Sequence, residues 1–147
     1  MVTNQLTSSK TMKRIIYIAS FSLVLFSLSC CWLIYSPQYD PITVERLEGL
    51  KVEILILYDS FATESLDKAK ADSILNGIAG MIEYEQRRKC NKETTAQLIL
   101  IRGMLTDHIN DRLSMVGSWQ NEHLLNNKQN ITEAIDGAIE TERLKAR

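Results

Sequence analysis

Two histidines, three cysteines and two glutamates beside apolar stripes are the residues of this 147-residue chain that invite a chemical reading. A metal site in a helical bundle takes Glu-x-x-His pairs from facing helices. His108 has Leu105 three positions before it and His123 has Gln120, so neither completes such a pair. There is also no His-x-x-x-His and no Cys-x-x-Cys, so no metal and no cofactor is expected. Cys90 follows Arg87, Arg88 and Lys89, which would favour a thiolate, but no histidine stands in that segment to serve as its base. Buried carboxylates would have perturbed proton affinities and would be suspected of acid–base work. Glu85 and Glu142 are the candidates. Each has a cation three positions on, Arg88 and Lys145, which is the spacing of an ordinary solvated pair on a helix surface. Gly77 and Gly80 fall inside a helical pattern, where they weaken the helix or admit a close neighbour, and form no phosphate loop. The expectation is therefore no catalytic residue and no enzyme.

Recognition chemistry is the better prospect. Tyr84, Arg87 and Arg88, with Lys89 and Lys92, gather a ring and four cations within one short segment. Trp119 lies in a polar break, where an aromatic is either a lid on the core or an anchor for a partner. These four residues, Tyr84, Arg87, Arg88 and Trp119, form the expected contact surface. The cations fit two roles: neutralising a helix C-terminus, or meeting anionic headgroups. A net charge of −1 leaves no basic footprint for nucleic acid.

The elements that must carry these residues are helical. Asp40 as N-cap and Pro41 at the first helical position open a first helix. Its apolar residues Leu47, Leu50, Ile54, Leu57 and Phe61 recur in steps of three and four. A second helix is expected from Leu66 to Lys89, with Ile74, Ile78, Met81 and Ile82 inward. A third runs from Glu93 to Val116, capped by Asn91, with Leu98, Ile101, Leu105, Ile109, Leu113 and Val116 inward. After two interruptions, "GSWQNEH" and "LLNNKQN", a fourth covers at least Ile131 to Lys145, with Ile131, Ile135, Ala138 and Ile139 inward. No window alternates with period two, so strands are not expected. The fold class is all-α: a single N-terminal membrane anchor followed by an up-down four-helix bundle over residues 42–147.

The anchor is read from residues 15–35, which hold no charge and suffice for a helix about 30 Å long. Lys10, Lys13 and Arg14 precede this run, so residues 1–14 are expected in the cytoplasm and the bundle outside the membrane. Trp32 and Tyr35 suit an outer aromatic belt. A second reading starts at Met12, with "MKR" as a positive leader and "SLSC" as a cleavage region, and resembles a bacterial lipoprotein signal. Cys30 and Cys31 are the lipidation candidates. Leu28 stands one place late for Cys30 and correctly for Cys31, which leaves Cys30 where a small residue belongs. Both readings, and free secretion, put the bundle on the periplasmic or extracellular side. Pro37 and Pro41 bracket a linker, residues 36–41.

Several stretches in order carry a resemblance: "YDP" after the cysteines, "ERLEGLKVEILILYDSF", "YEQRRKCNKETTAQL" with Arg88, Asn91, Thr94 and Gln97, and "AIDGAIETERLK". In these the chain resembles small bacterial helical membrane-anchored lipoproteins of unknown function. The resemblance implies a helical fold and an envelope location, and brings no activity. Taken together, the expectation is a membrane-anchored binding or structural module, with the membrane and an envelope protein as partners. An envelope-processing hydrolase and a sensory or immunity-type partner-binding protein are the alternatives.

Overall fold

The computed structural model describes residues 37–63, 66–115 and 117–146. They form four helices and, among the described residues, no strand: α1 (Pro41–Phe61), α2 (Lys68–Arg87), α3 (Lys92–Ser114) and α4 (Asn121–Leu144). The expected anchor, with Cys30 and Cys31, lies outside the described residues. Among those described, no helix is long and apolar enough to cross a membrane.

Local signals explain the helix starts. Asp40 accepts a hydrogen bond from the Ile42 amide at 3.0 Å, and Asp67 one from Lys70 at 3.0 Å, each satisfying an amide that the first turn leaves without a partner. Asn91 occupies the N-cap position of α3, but its side chain makes no capping hydrogen bond and binds Glu85 and Lys145 instead. The helix ends at Arg87 and Leu144 match the expected cationic C-termini within a few residues.

Two boundaries differ from expectation. The stretch "LLNNKQN" does not interrupt: α4 begins at Asn121 and runs unbroken through it. Asparagine is a weak helix former, and tertiary packing overrides it here. Leu124 packs against the core and Lys128 bonds Asp59 of α1 at 2.6 Å. At the end of α3, Leu113 was expected inward but is exposed, and Arg112 is buried in its stead. The Arg112 guanidinium binds the carbonyls of Phe61, at 3.2 Å, and Thr63, so a cation finishes the C-terminus of α1 from another helix.

Polar contacts fix the topology. The start of α1 meets the ends of α2 and α4 through Thr43–Glu85 and Asp40–Glu142, and the start of α3 meets the end of α4 through Thr94–Glu142. Consecutive helices therefore run antiparallel, and α4 closes the square against α1. The core is the set of stripes read from the sequence: Leu47, Ile54, Leu57 and Phe61 from α1, Ile78 from α2, Leu98, Ile101 and Leu105 from α3, Ile131 and Ile135 from α4, all fully buried. Each such side chain contributes about 1.5–3 kcal/mol by leaving water. The α1–α2 seam is the most open. Gly49, Gly77 and Gly80 line a groove there with Leu50 and Met81, and a Cβ at any of the three would meet nothing within 4 Å. The two mid-helix glycines of α2 thus admit no close neighbour.

Candidate functional site

One end of the bundle holds the chain's incoming segment, the α2–α3 turn and the C-terminus of α4. This proximal end contains a cluster of buried polar groups. Glu85 reaches it from the last turns of α2 and Glu142 from those of α4; both are buried. The expectation of solvated surface pairs is corrected here. The local partners are those expected: Arg88 donates to Glu85 at 2.8 Å and Lys145 to Glu142. What spacing within one helix does not show is that the other helices cover both pairs.

The two carboxylates differ in their partners. Glu142 accepts from the Asp40 amide at 3.0 Å through Oε1, which also faces Arg88 at 3.4 Å. Its Oε2 accepts from Thr94 at 3.0 Å and from Lys145. Glu85 Oε1 lies against the Thr43 hydroxyl, and its Oε2 accepts from Arg88 and the Asn91 amide. All four oxygens therefore have partners, which a buried carboxylate requires. Asn91 completes the circuit by accepting from Lys145, which explains why its side chain does not cap α3.

Asp40 joins this cluster to the start of α1. It accepts from Tyr84 at 2.9 Å and lies within 2.9 Å of the Thr43 hydroxyl, whose single proton serves Asp40 or Glu85 but not both at once. Burial alone would raise the Asp40 carboxyl. The Tyr84, Thr43 and Ile42 hydrogen bonds and the Arg88 charge outweigh it and hold the group below the usual carboxylate range. The same bond to Asp40 pushes the Tyr84 phenol up. Burial works against the Arg88 charge, but Glu85, Glu142 and Asp40 together raise its proton affinity. Arg88 also binds the Gln38 carbonyl and so ties the incoming segment down. Cys90, in the turn beneath, adopts a left-handed backbone (φ 59°) that a non-glycine residue seldom takes. Its neighbours Arg88 and Asn91, both locked in the cluster, hold that turn in shape.

The expected contact residues separate. Arg88 belongs to the cluster. Tyr84 is half-buried, bonded to Asp40 and stacked under the Arg46 guanidinium at 4.9 Å. Arg87 is the one left in solvent, 3.6 Å from Glu83, which is also exposed. Trp119 lies at the opposite end and is buried: it is a lid on the core, not an exposed anchor. Its ring sits 4.9 Å from Phe61 and 4.4 Å from His123, and its amide donates to the Phe61 carbonyl at 3.1 Å. His108 flanks this aromatic group and bonds the buried Tyr58 hydroxyl through Nδ1. Burial lowers the proton affinity of His108 and raises that of Tyr58. Among the described residues no group of His, Cys, Asp and Glu could hold a metal ion. The sequence signal that would have found the cluster was present: a polar residue at a core-facing position in each helix, namely Thr43, Glu85, Thr94 and Glu142.

A hollow of about 410 Å³ opens beside the cluster, lined by Arg88, Cys90, Asn91, Lys92 and Ile99 among others. No protein-family model, no curated protein and no solved structure matches this chain.

Proposed function

We propose that the chain is a membrane-anchored, envelope-side helical module that works by binding, not by catalysis. The observation that carries this reading is the fate of Glu85 and Glu142. Their burial resembles that of catalytic carboxylates, yet every oxygen lies against a donor of the bundle itself, Glu85 Oε1 sharing the Thr43 hydroxyl with Asp40. A general acid or base must present an open position to its substrate; these carboxylates instead clamp four helix ends and the incoming segment together. The uncharged residues 15–35 supply the anchor, and the resemblance to small bacterial lipoproteins supports the compartment. Exposed apolar side chains, Val52 and Ile56 one turn apart on α1 and Ile99 and Leu100 on α3, offer partner-facing surface.

The test uses the full chain in bacterial membranes. It should resist carbonate extraction, and its bundle should be digested by protease added outside spheroplasts. Photo-crosslinkers at Val52 or Ile99 should give a discrete adduct that Ile56→Glu or Leu100→Glu abolishes. A chain released by carbonate, or one giving no adduct from either face, would overturn the reading.

A further inference from the structure

We propose that the proximal end of the bundle rests on an anionic bilayer surface, with Tyr39, Ile42 and Leu144 as its apolar contacts and Arg87, Lys89 and Lys92 facing the headgroups. This rests on the membrane-anchored reading above.

Three observations converge on that end. The first is apolar exposure. Tyr39 precedes the N-cap, Ile42 stands in the first turn of α1 and Leu144 closes α4, and each leaves roughly half its surface in solvent: 41%, 48% and 51%. The Asp40–Glu142 bond brings the start of α1 and the end of α4 together, so the three residues belong to one end of the bundle. A tyrosine among aliphatic side chains suits the boundary between headgroups and acyl chains, where a ring is buried while its hydroxyl stays wet.

The second is charge. The cations of this end fall into those with partners in the bundle and those without. Arg88 and Lys145 are spent on Asp40, Glu85 and Glu142, Arg143 pairs with Glu48 at 2.7 Å, and Arg46 lies over the Tyr84 ring. Arg87, Lys89 and Lys92 project into solvent; Arg87 has only the loose contact with Glu83, and Lys89 and Lys92 form no ion pair among the described residues. The exposed acids at this end are Glu45, Glu83, Glu93 and Glu140, of which Glu93 directly follows Lys92 in the chain. Structural duty and surface duty thus fall on different cations, and only the second group can meet lipid phosphates.

The third is tether length. Only residues 36–40 separate the uncharged run from α1, and five residues reach at most about 18 Å. With residues 15–35 in a bilayer, a linker of this length keeps the start of α1 within about that distance of the headgroups.

The experiment places the full chain in nanodiscs of phosphatidylcholine alone or mixed with phosphatidylglycerol. Lysine acetylation by a water-soluble reagent is then followed by mass spectrometry. Lys68, exposed at the distal start of α2, is the internal reference. Lys89 and Lys92 should be modified several-fold more slowly than Lys68 in the anionic discs at low salt. The difference should vanish at high salt, which screens the contact. In Arg87→Glu/Lys92→Glu, protection of Lys89 should be lost, and Tyr39→Ser/Ile42→Ser should weaken it. Equal rates in both lipids, or equal slowing of Lys68, would overturn the footing while leaving the anchor intact. A chain that does not enter the discs would overturn the anchored reading and this inference with it.

Discussion

Replacing Glu142 by alanine should destabilise the bundle, and the structure sets the size of the effect. Glu142 is fully buried and accepts from the Asp40 amide, Arg88, Thr94 and Lys145. Its removal leaves Lys145 almost fully covered, with a side-chain exposure of 5%, and without its carboxylate. Breaking a buried ion pair by deleting one partner costs about 3–5 kcal/mol, because the remaining charge stays desolvated. Against a total stability of about 5–15 kcal/mol, that is a large fraction. For a domain of this size it corresponds to a fall in Tm on the order of 15 °C. The assay is urea unfolding of residues 37–147 followed by far-ultraviolet circular dichroism, with the m-value checked for constancy. Lys145→Met alone should be costly, because Glu142 then loses a charge partner. Glu142→Leu/Lys145→Met should cost less than the two single changes added together, since apolar replacements leave no orphan charge. A loss below about 1 kcal/mol for Glu142→Ala would be the value of an exposed pair, and would refute the buried-clamp reasoning.

Residues 37–147 alone should be strongly helical and unfold cooperatively, and Ile54, Leu57, Leu105 or Ile135 cut to alanine should cost about 2–5 kcal/mol each by the same assay, since all four are fully buried. Stability should fall as pH drops below about 6.5, because unfolded His108 takes a proton at its ordinary value of 6.5 while burial lowers the folded value; His108→Gln should remove that share of the loss, and an unchanged pH profile in this variant would contradict it. A second decline should set in below the ordinary aspartate value of 3.8, where unfolded Asp40 binds a proton that its folded partners resist, and Asp40→Asn should flatten it. Fatty-acid labelling that disappears in Cys30→Ala/Cys31→Ala would identify a lipid anchor; no label on a chain with an intact N-terminus would identify a retained span.

The sequence by itself determined the helices and most of their inward faces. Asp40 and Pro41 mark the start of α1, and Leu47, Leu50, Ile54, Leu57 and Phe61 are its buried stripe, because capping and a 3.6-residue period are local properties. It also paired Glu85 with Arg88 and Glu142 with Lys145, again local geometry. Glu85 and Glu142 continue the inward stripes of their helices, but only the tertiary structure decided which groups cover them. Asp40 meets Glu142 across 102 positions and Thr43 meets Glu85 across 42, and no pattern within one helix states which other helix will cover it. The same holds for Arg112. Periodic reading sends a cation outward and Leu113 inward, and the carbonyls at the end of α1 reverse the choice. Trp119 is legible as an aromatic in a break, but its place as a lid on the core is set by Phe61 and His123. Apolar side chains announce burial through spacing alone, whereas a buried polar side chain depends on partners that only the folded chain brings within reach.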